Sequence, residues 1–197
     1  MRSRLLALLF VVFAIVSPAS AQPLPACEWC GADEAPDDLT ATDTIPTHSE
    51  PGERLRLSGL VTDAEGQPMA DVLVYAYHTN ASGYYPHRKG EAGNERRHGY
   101  LRGWVRTDAD GRYTFHTIRP APYRNHTEPA HIHLTVQPPS ADEVWIDDVM
   151  FEGDPLLTDA YRARLEQRGG SGIVTLTREG DGPWLAVRDI VLDAEWR

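Results

Sequence analysis

The chain has 197 residues, with 19 Lys and Arg against 29 Asp and Glu, and a formal net charge of −10. That balance disfavours nucleic acid and anionic membrane surfaces as partners. The length suits one domain with a sizeable core, and no apolar stretch is long enough for a transmembrane helix.

At the N-terminus, Arg2 and Arg4 precede an apolar run from Leu5 to Val16 and the small residues Ala19-Ser20-Ala21. This pattern predicts a cleaved export signal over residues 1–21, with Gln22 first in the mature chain and a periplasmic or secreted destination. Losing Arg2 and Arg4 moves the formal charge from −10 to −12. Residues 22–53 predict an acidic arm, extended or ordered only by docking, because eight acids, no Lys or Arg and several Pro and Thr leave little to bury. The arm holds the only cysteines, Cys27 and Cys30, at a spacing that predicts a small disulfide-closed loop in an exported protein. Leu24-Pro25-Ala26-Cys27 loosely resembles a lipoprotein processing site, but Pro25 and the distance from the apolar run weigh against lipid anchoring at Cys27.

The folded domain is predicted over residues 54–197. Short apolar runs between turn signals predict strands at Leu55–Val61, Val72–His78, Gly103–Thr107, Tyr113–Ile118 and His131–Val136. Val144–Ile146 with Val149–Phe151, Ile173–Thr177 and Trp184–Leu192 complete the set. One helix is predicted, Leu157–Gln167, stopped by Gly169 and Gly170. About eight short strands, long loops and one short helix make the fold class all-β, a β-sandwich.

Two long connections, Thr79–Tyr100 and Arg119–Ala130, are where such a scaffold builds a site. The first carries Tyr84 and Tyr85, and the second carries Tyr123 and runs into His131-Ile132-His133. Side chains alternate along a strand, so His131 and His133 share a face and can grip one metal ion. Tyr123 can bring a phenolate to it. Two unconnected histidines on a solvated face would read the same way, so the pair alone is weak. His78, His87, His98, His116 and His126 have no motif around them and are expected to be structural or exposed. Tyr100, Trp104 and Trp145 fit buried sandwich aromatics better than pocket walls. Asp154 is expected to turn or cap the chain before the helix.

A resemblance joins these pieces. SGLVTDAEGQPMADVLVYAYHTNASGYYPH, LRGWVRTDADGRYTFHTIRPAPY, EPAHIHLTV, VMFEGDPL and VRDIVL follow one another in an order that resembles the intradiol ring-cleavage dioxygenases. The likeness is greater to the protocatechuate branch than to the catechol branch, and it spans Arg54 to Leu192. It implies a mononuclear non-haem Fe(III) held by Tyr85, Tyr123, His131 and His133. Tyr85 is placed by counting from Gly83 in a G-x-Y motif, with Tyr84 an adjacent rival. The resemblance also implies that Tyr123 is the ligand that leaves when substrate arrives, making it both ligand and base. Hard Fe(III) prefers anionic oxygen donors and accepts imidazole, so the donor set is chemically coherent. The partners implied are an aromatic diol and O2, and the product is a muconate-type diacid. A homo-oligomer is compatible with the family.

One position departs from the family. Glu128 stands just before Pro129-Ala130-His131, where the family has an arginine. A guanidinium there would stabilise charge on bound substrate by on the order of 3 kcal/mol, whereas a carboxylate opposes it. Arg102, Arg106 and Arg124 are candidate replacements, Arg124 being nearest, so Tyr123, Arg124 and Glu128 form the expected catalytic set. Glu128 also supports a second reading, a secreted binding or structural sandwich that keeps a metal site without catalysis. A site preferring copper or zinc is a third, opposed by the two phenols.

Overall fold

A computed structural model of the chain describes residues 30–45 and 50–193. The expected export signal and Cys27 lie outside the described residues. Two six-stranded sheets face each other. In the first, β1 (Thr42–Thr44), β5 (Arg112–Ile118), β2 (Arg54–Asp63), β11 (Trp184–Val187) and β10 (Thr177–Arg178) lie side by side, and β12 (Ile190–Leu192) also pairs with β2. In the second the order is β4 (Arg102–Arg106), β3 (Leu73–His78), β6 (His131–Gln137), β8 (Val149–Phe151) and β9 (Ile173–Val174), with β7 (Val144–Trp145) on β6. The chain is the all-β sandwich that the strand pattern predicts.

Alternation explains why the sheets pack. Leu55 and Leu57 of β2 and Tyr113 and Phe115 of β5 are buried against Val74, Ala76, Ile132, Leu134 and Val136 of the other sheet. His78 joins the layers: its Nε2 lies 2.7 Å from the Thr117 hydroxyl, and its Nδ1 lies 2.7 Å from the Thr79 carbonyl. The other face of β3 and β6 carries Tyr75, Tyr77, His131, His133 and Thr135. Register sets Tyr77 opposite His133 and Tyr75 opposite Thr135. That face is covered by loops and by the segment before β2, so every residue of β3 is buried.

Three elements differ from expectation, and the acidic segment takes the docked form: Thr42–Thr44 runs parallel to β5, Ile45 is buried, and Gly31 and Ala32 donate to the Glu143 carboxylate. Alternating Thr and Asp conceal such an edge strand, because its pairing is backbone to backbone. The predicted helix 157–167 shrinks to α2 (Asp159–Arg162), capped by the Thr158 hydroxyl. Beyond it the Asp147 carboxylate accepts from Gln167 and Arg168 amides, competing with further helix. The run predicted over 173–177 crosses between sheets, β9 joining one and β10 the other. The strand predicted over 184–192 breaks at Arg188, whose buried guanidinium donates to the carbonyls of Arg168, Gly169, Gly170 and Asp189. Gly59 makes this break possible, since a Cβ there would stand 1.9 Å from the Arg188 carbonyl oxygen. A further short helix, α1 (Glu95–His98), sits in the first long loop.

Candidate metal centre

Strand β6 delivers His131 and His133 to the outer face of the second sheet, and the two tyrosine loops close over them. Gly83, with φ of +76°, lets the loops touch: a Cβ there would meet the Pro122 carbonyl oxygen at 2.2 Å. Ala121 N to Asn80 O at 3.1 Å and Thr79 Oγ1 to Ala121 O at 2.7 Å tie the loops together. Asn80 Oδ1 also accepts from the Ser82 and Tyr84 amides, fixing the turn that aims Tyr85 inward.

Four donor atoms converge. Tyr85 Oη lies 2.7 Å from Tyr123 Oη and 2.9 Å from His133 Nε2. His131 Nε2 lies 3.0 Å from His133 Nε2, and Tyr123 Oη lies 3.1 Å from each imidazole. Donors held ~2 Å from one cation stand ~3 Å apart, so the spacing fits a first-row metal ion. Both rings are oriented from behind. His131 Nδ1 donates to the Pro129 carbonyl at 2.7 Å, and His133 Nδ1 is 3.0 Å from Asp148 Oδ1. Each Nε2 lone pair is therefore turned to the centre. Asp148 groups with the two histidines as a three-residue metal candidate. It reaches the far nitrogen of His133, however, and so acts on that ring from outside the four-donor cluster.

Burial sets the electrostatics. Desolvation raises the Tyr85 hydroxyl pKa well above its ordinary value, with neighbouring Tyr123 adding to the effect. Burial raises Tyr123 too, against a lowering by its bond to Tyr85. Burial, then His133, lowers the His131 pKa, which favours the neutral imidazole. Phenols so reluctant to ionise need a strong positive charge at their centre to become phenolates. A hard, highly charged cation therefore fits the donor set.

The donors open into a cavity of about 340 Å³, walled by Tyr77 and Trp145 and bordered by Arg97 and His98. The Tyr77 ring stacks on His133 at 4.5 Å and on His98 at 3.8 Å. His98 Nδ1 is 2.7 Å from Tyr75 Oη, so the histidine is part of the wall. Tyr84, the rival to Tyr85, is exposed beneath the Arg124 guanidinium. Neither Arg124 nor Glu128 lines the cavity. Arg124 is held over Tyr84, and Glu128 accepts from Tyr161 Oη at 2.5 Å. Arg102 pairs with Glu34 and Arg106 donates to the Asp71 carbonyl, so neither supplies the missing guanidinium. Asp154 accepts from the Leu156 and Ala130 amides, which secures the approach to His131. Trp145 is a wall residue after all, and Asp148, Arg97 and His98 carry no motif that the sequence could offer.

The dioxygenase family model matches residues 30–183, most of the chain and both arms of this centre. The chain belongs to the intradiol ring-cleavage dioxygenase family. It is 31% identical over 162 residues to catechol 1,2-dioxygenase 1 of Acinetobacter lwoffii, covering 70% of this chain and 50% of that protein. It is 35% identical over 132 residues to the protocatechuate 3,4-dioxygenase beta chain of Burkholderia cepacia, covering 64% and 56%. The chain thus spans about half the length of these curated relatives. Among solved structures, it resembles the dioxygenase domain of a dioxygenase carbohydrate-binding protein fusion from Streptomyces sp. SirexAA-E. The TM-score is 0.60 at 26% identity, covering 80% of this chain and 91% of that one. The 3-chlorocatechol 1,2-dioxygenase of Rhodococcus opacus 1CP superposes with a TM-score of 0.61 at 26% identity, covering 76% and 64%. The family match begins at residue 30, well before Arg54.

Proposed function

We propose that this family member is an exported, Fe(III)-dependent dioxygenase that cleaves a catechol-type aromatic between its hydroxyl-bearing carbons to a muconate-type diacid. The observation that carries the reading is the cluster of Tyr85, Tyr123, His131 and His133, linked by donor-to-donor distances of 2.7 to 3.1 Å, at the edge of an aromatic-walled cavity. These four residues would hold the iron, which on binding would activate the catechol ring toward O2. The chain's own residues set the stage. Asp148 and the Pro129 carbonyl fix the imidazoles, and Tyr77 and Trp145 flank the space a flat ring would enter.

Tyr123 is the donor suited to take a proton from an entering catechol hydroxyl. It sits on the loop whose next four residues are exposed, and its Oη already shares a short hydrogen bond with Tyr85. Glu128 weighed toward a non-catalytic module in the sequence. Its engagement by Tyr161, outside the cavity lining, reduces that weight. The test is the visible spectrum of iron-loaded protein, before and after anaerobic catechol, followed by O2 uptake. A tyrosinate-to-iron band that shifts with catechol, then O2 consumption with diacid formation, is expected. Protein that takes up no iron, or takes it up without colour, would overturn the reading.

A further inference from the structure

We propose that Tyr161 is a positioning residue, whose hydroxyl holds the Glu128 carboxylate, just ahead of His131, away from the four-donor cluster. This rests on the catechol reading above and explains how such a centre tolerates an acid beside its ligands. Tyr161 Oη donates to Glu128 Oε2 at 2.5 Å, within the short range of hydroxyl-to-carboxylate bonds. Burial, then this bond, raises the Tyr161 pKa, so the phenol stays a donor and the carboxylate its acceptor. Both ends of the contact are fixed by their own surroundings. The Pro129 carbonyl lies 2.7 Å from His131 Nδ1 and the Ala130 amide donates to Asp154 at 2.9 Å, which leaves the Glu128 side chain alone to choose a direction. Across from it, the Tyr161 amide donates to the Thr158 hydroxyl at 3.2 Å. Arg162 binds both Glu152 carboxylate oxygens, at 3.0 and 2.6 Å, and so pins α2 to the end of β8.

Tyr161 lines a cavity of about 420 Å³ together with Asp148 and Trp145, and it does not line the donor cavity. Its bond therefore draws the carboxylate away from the space a catechol ring would enter. The Arg164 guanidinium, 4.8 Å from the Tyr161 ring centroid, adds a positive charge on the same side. Direction matters because Glu128 is within electrostatic reach of the donors. Burial raises the Tyr123 pKa, and the Asp148 and Glu128 carboxylates raise it further. A carboxylate released from Tyr161 and turned to the donors would repel a bound catecholate, while favouring the cation beneath it.

The test is a pair of affinities measured on the full chain. One is that of the iron-loaded protein for catechol without O2, and the other is that of the metal-free protein for Fe(III) in competition with a chelator. Urea midpoints check folding. Tyr161→Phe removes only the hydroxyl and should weaken catechol binding about tenfold, with iron held at least as tightly as in the wild type. In a Glu128→Gln background the same change should alter catechol affinity by less than about twofold, since no charge is left to release. Undiminished catechol affinity in Tyr161→Phe, a loss that persists in the Gln background, or a parallel loss of iron would overturn the inference. O2 uptake, followed separately, tells the two readings apart. A loss of catechol affinity cancelled by Glu128→Gln, in a chain that takes up no O2, would support the positioning role while defeating the catalytic reading. O2 uptake by the wild type, with Tyr161→Phe binding catechol equally well, would do the reverse. Wild-type protein that binds no iron or no catechol would overturn both.

Discussion

Asp148 offers a direct test of how the centre is built. Its carboxylate lies 3.0 Å from His133 Nδ1, and the two side chains are 20% and 13% exposed, so solvent screens the contact only in part. A charge-assisted hydrogen bond of this kind contributes ~1.5–3 kcal/mol, and outer-shell partners of metal-bound histidines carry about 10- to 100-fold in metal affinity. Asp148→Asn keeps an acceptor for Nδ1–H but loses the charge, so iron should bind about tenfold more weakly, ~1.4 kcal/mol. Asp148→Ala removes the acceptor and should approach a hundredfold, ~2.7 kcal/mol. Competition with a chelator of known affinity measures both, with urea midpoints to show that each variant folds. A loss below twofold in both variants would refute the orienting role. Complete and equal loss in both would instead make Asp148 a direct donor.

Other consequences are equally concrete. Gly83→Ala forces a Cβ toward the Pro122 carbonyl at positive φ, and should cost about 1–3 kcal/mol in urea unfolding and lower iron uptake by parting the tyrosine loops. Unaltered uptake would show that the loops tolerate separation. Burial lowers the His78 pKa to about 4, from 6.5 when unfolded. The unfolded chain therefore binds the extra proton first, and stability should fall as pH drops from 6.5 toward 4, by about 3 kcal/mol for this group. His78→Gln should flatten that limb of a pH-dependent denaturation series in metal-free protein, and an unchanged slope would argue against it. Tyr123→Phe should weaken the visible absorption of the iron-loaded chain and slow substrate deprotonation. An unchanged spectrum would remove Tyr123 from the donor set.

Much of the sandwich was legible because it obeys period two. Leu55 and Leu57, Tyr113 and Phe115, and Ile132 and Leu134 alternate with polar residues, and each run became a strand. His131 and His133 were legible as a same-face pair for the same reason, whereas counting from Gly83 left Tyr84 open beside Tyr85, and the folded loop turns Tyr85 to His133 and Tyr84 to Arg124. Long-range competition was less visible. The helix expected to reach Gln167 yields to Asp147, twenty residues away in sequence, and the break at Arg188 depends on Gly59 across the sheet. The composition of the acidic segment allows order only by docking without naming the surface, which proves to be the edge of β5 and the Glu143 carboxylate. Arg97 and His98 lie in a four-residue helix amid glycines, with no periodicity to announce which way they face. Only the folded loop shows that they border the donors.

The docking of residues 30–34 divides the centre into two separately built parts. The metal donors depend on β6 and on two loops that Gly83 brings together, all of them after Arg54. The border of the cavity at α1 instead hangs on the segment before it, through Cys30 and Glu34 to Asn94. A protein shortened to Arg54 would keep every donor and lose the brace of the helix that presents Arg97. Changes near the start of the chain would therefore act on the border of the cavity while the four-donor cluster stayed as it was.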